Sequence, residues 1–254
     1  MIRKYLFRFP VFLLCFSASV CAQYPPAAGD SGTTAIYRDS TIIRGWATTC
    51  SIIRGYINLS DTTITYNGNN RASYGIPADG IGKADNLSVS LGDKGTATLT
   101  FQNPITNGDG FDFAIFENGF SNNFLELGFV EVSSDGTHFV RFPSVSLTPS
   151  ILQISTFGTL DPIKIHNLAG KYRMDFGMPF DLSDIGDSLH IDIQRVTHVR
   201  IVDVGGCVQQ SLASYDGLGN MINDPWPTPF YSCGFDLDGV GVIHFAPAAM
   251  DDTE

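Results

Sequence analysis

The sequence predicts an all-β protein, a jelly-roll-like β-sandwich with a long, partly helical insertion, and three observations predict it. From residue 41 onward short apolar stretches alternate with turn clusters. Clean period-two segments recur, while long helical patterns are scarce. The 26 glycines suit a chain that turns often, as sandwiches and jelly rolls do.

Each predicted element has its own signal. Residues 96–101 (TATLTF) alternate threonine with apolar side chains, as a half-buried strand requires. Residues 111–116 are apolar except at Asp112, the pattern of a strand covered on both faces. Segments 126–133 and 138–142 flank Ser134, Asp135, Gly136 and Thr137, where Asp-Gly supplies the positive φ angles of a tight hairpin. Strands over 197–204 and 235–243 complete the set. Two stretches break the rhythm. Residues 143–192 show little alternation and read as an excursion with one or two short helices, and 209–233 are irregular and rich in proline.

The amino end opens with Arg3, Lys4 and Arg8, then an apolar run over 9–16 and small residues up to Ala22. That is an export signal over 1–22, cleaved after Ala22, with an apolar part too short to span a bilayer. Lipidation at Cys21 is the rival reading, but Val20 stands where such a signal wants a small residue. Residues 23–35 read as an extended leader, 36–246 as the sandwich with its insertion at 143–192, and 247–254 as a flexible tail. The expected location is secreted or cell-surface, without a membrane span. Losing the three basic residues moves the formal charge from -11 to about -14. So negative a chain argues against nucleic acid as a partner and suits a divalent cation.

Cys50, Cys207 and Cys233 outlast removal of the signal, and an odd number in an exported chain allows one bridge. Cys207 follows one predicted strand and Cys233 precedes another, so a Cys207–Cys233 clasp between adjacent strands is the expected pair, with three free thiols as the alternative. No Cys/His spacing suits zinc.

The strongest chemical signal is a set of carboxylates inside apolar strands, because a buried, unpaired carboxylate needs a cation or donors. Period two places Asp236 and Asp238 in the row that Val240 and Val242 continue, so one strand face changes from charged to apolar. Glu117, Asn118, Asp236 and Asp238 are the candidate ligands of a Ca²⁺ ion. Asp112 can instead cap a neighbouring loop. Asp216, Asn220 and Asp224 form a second oxygen-rich loop, although their spacing departs from the EF-hand pattern. For ligand recognition the candidates are Trp226 between two prolines, Tyr215 and Tyr231, with Tyr172 and Arg173 from the excursion as a neighbouring wall. The competing reading has Trp226 plugging the end of the sandwich. Catalytic signals are thin: the five histidines are scattered, and neither HExxH nor GxSxG occurs.

Four segments carry a resemblance: GFDFAIFENGF (110–120), VEVSSDG (130–136), NDPWPT (223–228) and GFDLD (234–238). The chain resembles a group of exported bacterial cell-surface proteins, common in Bacteroidetes, whose function is uncharacterised. More loosely, it is similar to the galactose-binding-like jelly rolls of discoidin and carbohydrate-binding modules. That likeness implies a structural calcium and end loops that take the ligand, but it does not assign the ligand. The expected function is a secreted or cell-surface binding module for a glycan, stabilised by calcium. The alternatives are a protein–protein adhesion or assembly module and surface capture of a small nutrient or cofactor, with a hydrolase last.

Overall fold

The computed structural model describes residues 24–186 and 190–246; the stretch expected to be an export signal at 1–22 and the tail expected at 247–254 lie outside them. The strands in chain order are β1 (Ile36–Tyr37), β2 (Gly45–Trp46), β3 (Thr49–Ile53), β4 (Val89–Ser90), β5 (Thr96–Ile105), β6 (Phe113–Glu117) and β7 (Gly128–Ser133). After them come β8 (Val140–Arg141), β9 (Val145–Ser146), β10 (Ile165–His166), β11 (Phe176–Phe180), β12 (Val196–Asp203) and β13 (Asp236–Val242). One sheet runs β1-β11-β6-β13-β2, with β4 also on β13; the other runs β3-β5-β12-β7-β8, and β9 pairs with β10. All these pairings are antiparallel, and the protein is an all-β sandwich. No helix of the described residues is long and apolar enough to cross a membrane.

The core lies between the sheets because alternate residues of each strand point inward. Ala97 and Leu99 of β5 and Val199 and Ile201 of β12 meet Phe113 and Ile115 of β6 and Val240 and Val242 of β13. β6 is covered on both faces, as its continuous apolar run predicts. Its other side, Ala114 and Phe116, packs with Ile36 and Ile243, and Trp46 leans on Phe116 with ring centroids 5.1 Å apart. A hairpin forms there, but a looser one than expected: β7 and β8 pair through Val132 and Val140, of the Asp-Gly pair only Gly136 has a positive φ, at 75°, and Asp135 Oδ1 accepts from the amides of Thr137 and His138.

The excursion is not helical. Residues 143–192 supply β9, β10 and β11 plus the short 3-10 turns Pro162–Lys164 and Leu182–Ile185, with no α-helix among the described residues. Asp161 and Asp181 do accept from backbone amides at the starts of those turns. Apolar residues do not then recur at helical spacing, so each turn ends at once. Leu160, Ile165 and Leu168 instead cover the outer face of the second sheet, against Leu127, Phe129 and Val204. The segment expected to be an extended leader is also docked: the Tyr24 amide donates to Ile163 O at 2.9 Å and its ring stacks on His166.

The expected cysteine clasp is absent. Cys207 and Cys233 are buried free thiols, as Cys50 is free. The premise fails because β12 and β13 belong to different sheets and are not neighbours.

Candidate functional site

At one end of the sandwich, strand termini from both sheets bring acids together. Glu117 closes β6 and Asp236 opens β13, and the two strands pair there: Leu237 lies opposite Glu117, and the Asn118 amide donates to Asp236 O at 3.0 Å. Glu126 approaches from the segment before β7. One carboxylate oxygen from each of Glu117, Glu126 and Asp236 falls within 4.8 Å of the others. That spread suits one ion with oxygens about 2.4 Å away on its opposite sides.

Three further acids continue the cluster. Asp203 ends β12, Asp93 lies between β4 and β5, and Asp224 comes from the proline-rich loop. With Glu126, Gly205 and Thr228 they line a cavity of about 10 Å³, roughly the room one water or ion needs. Donors satisfy part of this charge. Asp203 accepts from the amides of Lys94, Gly205 and Phe235, Asp224 from Leu127, and Glu117 from Gly119. Ser90 Oγ donates to Asp236. No hydrogen bond from the described residues reaches the Glu126 carboxylate, and none of the six acids takes part in an ion pair among them.

Burial that outweighs the pull of nearby cations disfavours ionisation. It pushes Asp93 up to about 7, with Asp203 adding repulsion, and Asp203 up to about 6. Glu117, Asp224 and Glu126 are pushed well above the carboxylate range by burial and then by neighbouring acids. Asp236 is raised by burial against the pull of Ser90 and Arg54. At neutral pH the cluster must therefore hold protons or a cation.

The sequence-derived ligand set is half assembled. Glu117 and Asp236 meet, but Asn118 reaches away to Ser88 and leaves its Oδ1 buried without a partner. Asp238 spends both oxygens on the amides of Asp85 and Asn86, at 3.0 and 3.2 Å. The expected row of acids leading into valines is not formed, because the register shifts between Leu237 and Gly239. Leu237 therefore joins Val240 and Val242 in the core, and the acids do not. Asp112 is fully buried and caps its surroundings, accepting from Gly108 and Leu182 amides and facing His244 Nδ1 at 2.8 Å. Glu126, Asp93, Asp203 and Asp224 were not foreseen as one group. Their sequence signals are weak: Glu126 is a lone charge in Leu125-Glu126-Leu127 and Asp203 in Val202-Asp203-Val204, whereas Asp93 adjoins Lys94 and Asp224 lies between Asn223 and Pro225.

The proposed recognition face is dispersed. Trp226 is half-buried, and its Nε1 donates to Asp93 Oδ2 at 3.1 Å, which turns the indole toward the acid cluster. Tyr172 is not part of a surface wall: it is a core residue, with its hydroxyl 2.9 Å from Thr34 Oγ1. Lys171 beside it is buried too, donates to Ile165 O, and is pulled down to about 8 by burial. Arg173 lays its guanidinium over Phe176. Tyr231 is exposed and stacks on Tyr66, while Tyr215 borders a separate hollow against 146–150. Tyr172→Phe is expected to cost about 1 kcal/mol for the lost hydrogen bond and to leave ligand binding unchanged, as denaturant melts and binding titrations would report.

The chain matches no protein family, no curated protein and no solved structure in comparison.

Proposed function

We propose that this chain is an exported β-sandwich binding module whose loops are held by a calcium ion and whose ligand is an extracellular glycan. What carries the reading is the Glu117, Glu126 and Asp236 cluster, three carboxylates in oxygen-ligand proximity that make no ion pair among the described residues, with only the more distant pull of Arg54 on Asp236. Calcium is the cation favoured, since the available donors are all oxygen and come from separate, adaptable loops. The ion supplies charge neutralisation at the sandwich end, where it ties the segment after β6 to β13 and to the approach into β7.

Carboxylates raised in this way release protons when a cation displaces them. Calorimetric titration of chelator-treated protein with Ca²⁺ at pH 7, in two buffers of different ionisation enthalpy, is expected to show saturable binding with proton release. Absence of binding in both buffers removes the metal from the proposal.

A second reading, a protein–protein assembly module, has one observation in its favour. Phe120 and Phe157 are exposed in an aromatic series with Phe124 and Phe230, successive centroids lying 4.5, 6.4 and 6.0 Å apart. An exposed apolar patch of this kind suits a protein partner.

A further inference from the structure

The geometry points to a neutral-saccharide subsite in the hollow between β9 with its following residues (146–150) and the 215–221 loop. This inference rests on the glycan reading and gives it a place, one that does not include Trp226. The hollow has a volume of about 450 Å³ and is bordered by Ser146, Thr148, Tyr215, Asn220 and Met221, within the size range of small-ligand sites.

Two observations distinguish it from an ordinary surface dent. Ser146 is 1% exposed and Thr148 9%, yet neither hydroxyl has a hydrogen-bond partner. A buried hydroxyl left unpaired is costly and uncommon, and each can both donate and accept. Beside them Tyr215 keeps 42% of its surface open, although its backbone is bridged to Met221. An open ring next to unsatisfied hydroxyls matches a pyranose, which offers an apolar C–H face and a rim of hydroxyls. The acids of the cluster described above offer no comparable apolar face.

The walls are built in advance of any ligand. Asp216 accepts from the amides of Ser146, Leu218 and Asn220 and from Asn220 Nδ2, which fixes the loop against β9. Burial works against the Asp216 charge, but these hydrogen bonds outweigh it and hold the carboxyl below its ordinary range. On the other side Asn223 is fully buried and donates to the carbonyls of Pro149 and Leu152, pinning the 149–152 backbone. Preformed walls reduce the ordering cost of binding. The ionised Asp216 in one wall, together with the chain's formal charge of -11, selects against anionic sugars.

The test titrates the calcium-loaded full chain with neutral hexose oligosaccharides and, separately, with uronate oligosaccharides. Neutral sugars are expected to bind and uronates not to. Tyr215→Ala should weaken binding at least tenfold without changing the melting temperature, and Ser146→Ala roughly two- to tenfold, the worth of one hydrogen bond. Tyr231→Ala should bind like the parent. Neutral-sugar binding that survives both Tyr215→Ala and Ser146→Ala overturns the subsite while leaving the glycan reading intact. Failure of every sugar to bind overturns the subsite and the glycan reading together, and the calcium titration is unaffected by either result.

Discussion

Calcium added to metal-stripped protein should raise its melting temperature by roughly 5–11 °C at a concentration a hundredfold above its Kd. A ligand that binds only the folded chain contributes about 2.7 kcal/mol at that ratio, and a domain of this length gains roughly 2–4 °C per kcal/mol. Glu126→Gln discriminates the cause. Glu126 receives no hydrogen bond from the described residues and sits among Asp236, Glu117, Asp224 and Asp203. Neutralising it should therefore leave the metal-free protein at least as stable as the parent while abolishing the calcium shift. Asp238→Asn should retain most of the shift, because the Asp238 oxygens are engaged by Asp85 and Asn86. A parent protein whose melting temperature ignores both chelator and calcium would be incompatible with the proposed ion.

The second large effect is a pH dependence that metal opposes. A carboxyl raised on folding binds its proton more tightly in the native than in the unfolded state, so stability falls as pH climbs between the two pKa values. Asp93 moves from 3.8 to about 7 and Asp203 from 3.8 to about 6. The metal-free chain should accordingly be more stable at pH 5 than at pH 8. Asp93 alone accounts for roughly 3 kcal/mol of that fall, the part of its shift that lies between pH 5 and its raised value. Asp135 and Asp216 are lowered instead; their contribution is complete above about pH 4 and disappears only in stronger acid, outside this window. Calcium favours the deprotonated cluster, so its stabilisation should grow from pH 5 to pH 8. Denaturant melts at both pH values, with chelator and with calcium, measure all four states. A metal-free protein that gains stability toward pH 8 would contradict the buried-acid account.

The sandwich was legible in the sequence where local pattern decides structure. The alternation of 96–101 became β5, the apolar run after Asp112 became β6 covered on both sides, and Asp135-Gly136 lies in the connection of a hairpin that is longer than the tight one expected. The 143–192 segment was misread because a lack of period-two alternation does not by itself argue for a helix; only continued 3.6 periodicity sustains one, and the segment folds as short strands and 3-10 turns. Site assembly was less legible for a different reason. Glu117 and Asp236 were recognisable as acids at strand ends, but Asp93, Glu126 and Asp224 come from separate loops that the fold brings to the end of β12 at Asp203, which sequence spacing does not reveal. The register shift after Leu237 also defeats period-two counting, so Asp238 was assigned to the wrong row. Tyr172 looked like a surface aromatic because its neighbours are Lys171 and Arg173; the Lys171 side chain is itself buried.

Strand β6 has one more consequence, which concerns the chain before it folds. The stretch from Phe113 to Phe116 holds two phenylalanines and an isoleucine in four residues with no charge, proline or glycine. Such a window stacks readily against copies of itself when exposed. Asp112 and Glu117 bracket it on either side. In the unfolded chain the carboxylates whose burial is so costly in the native state repel neighbouring copies, so the same two side chains act as gatekeepers against aggregation.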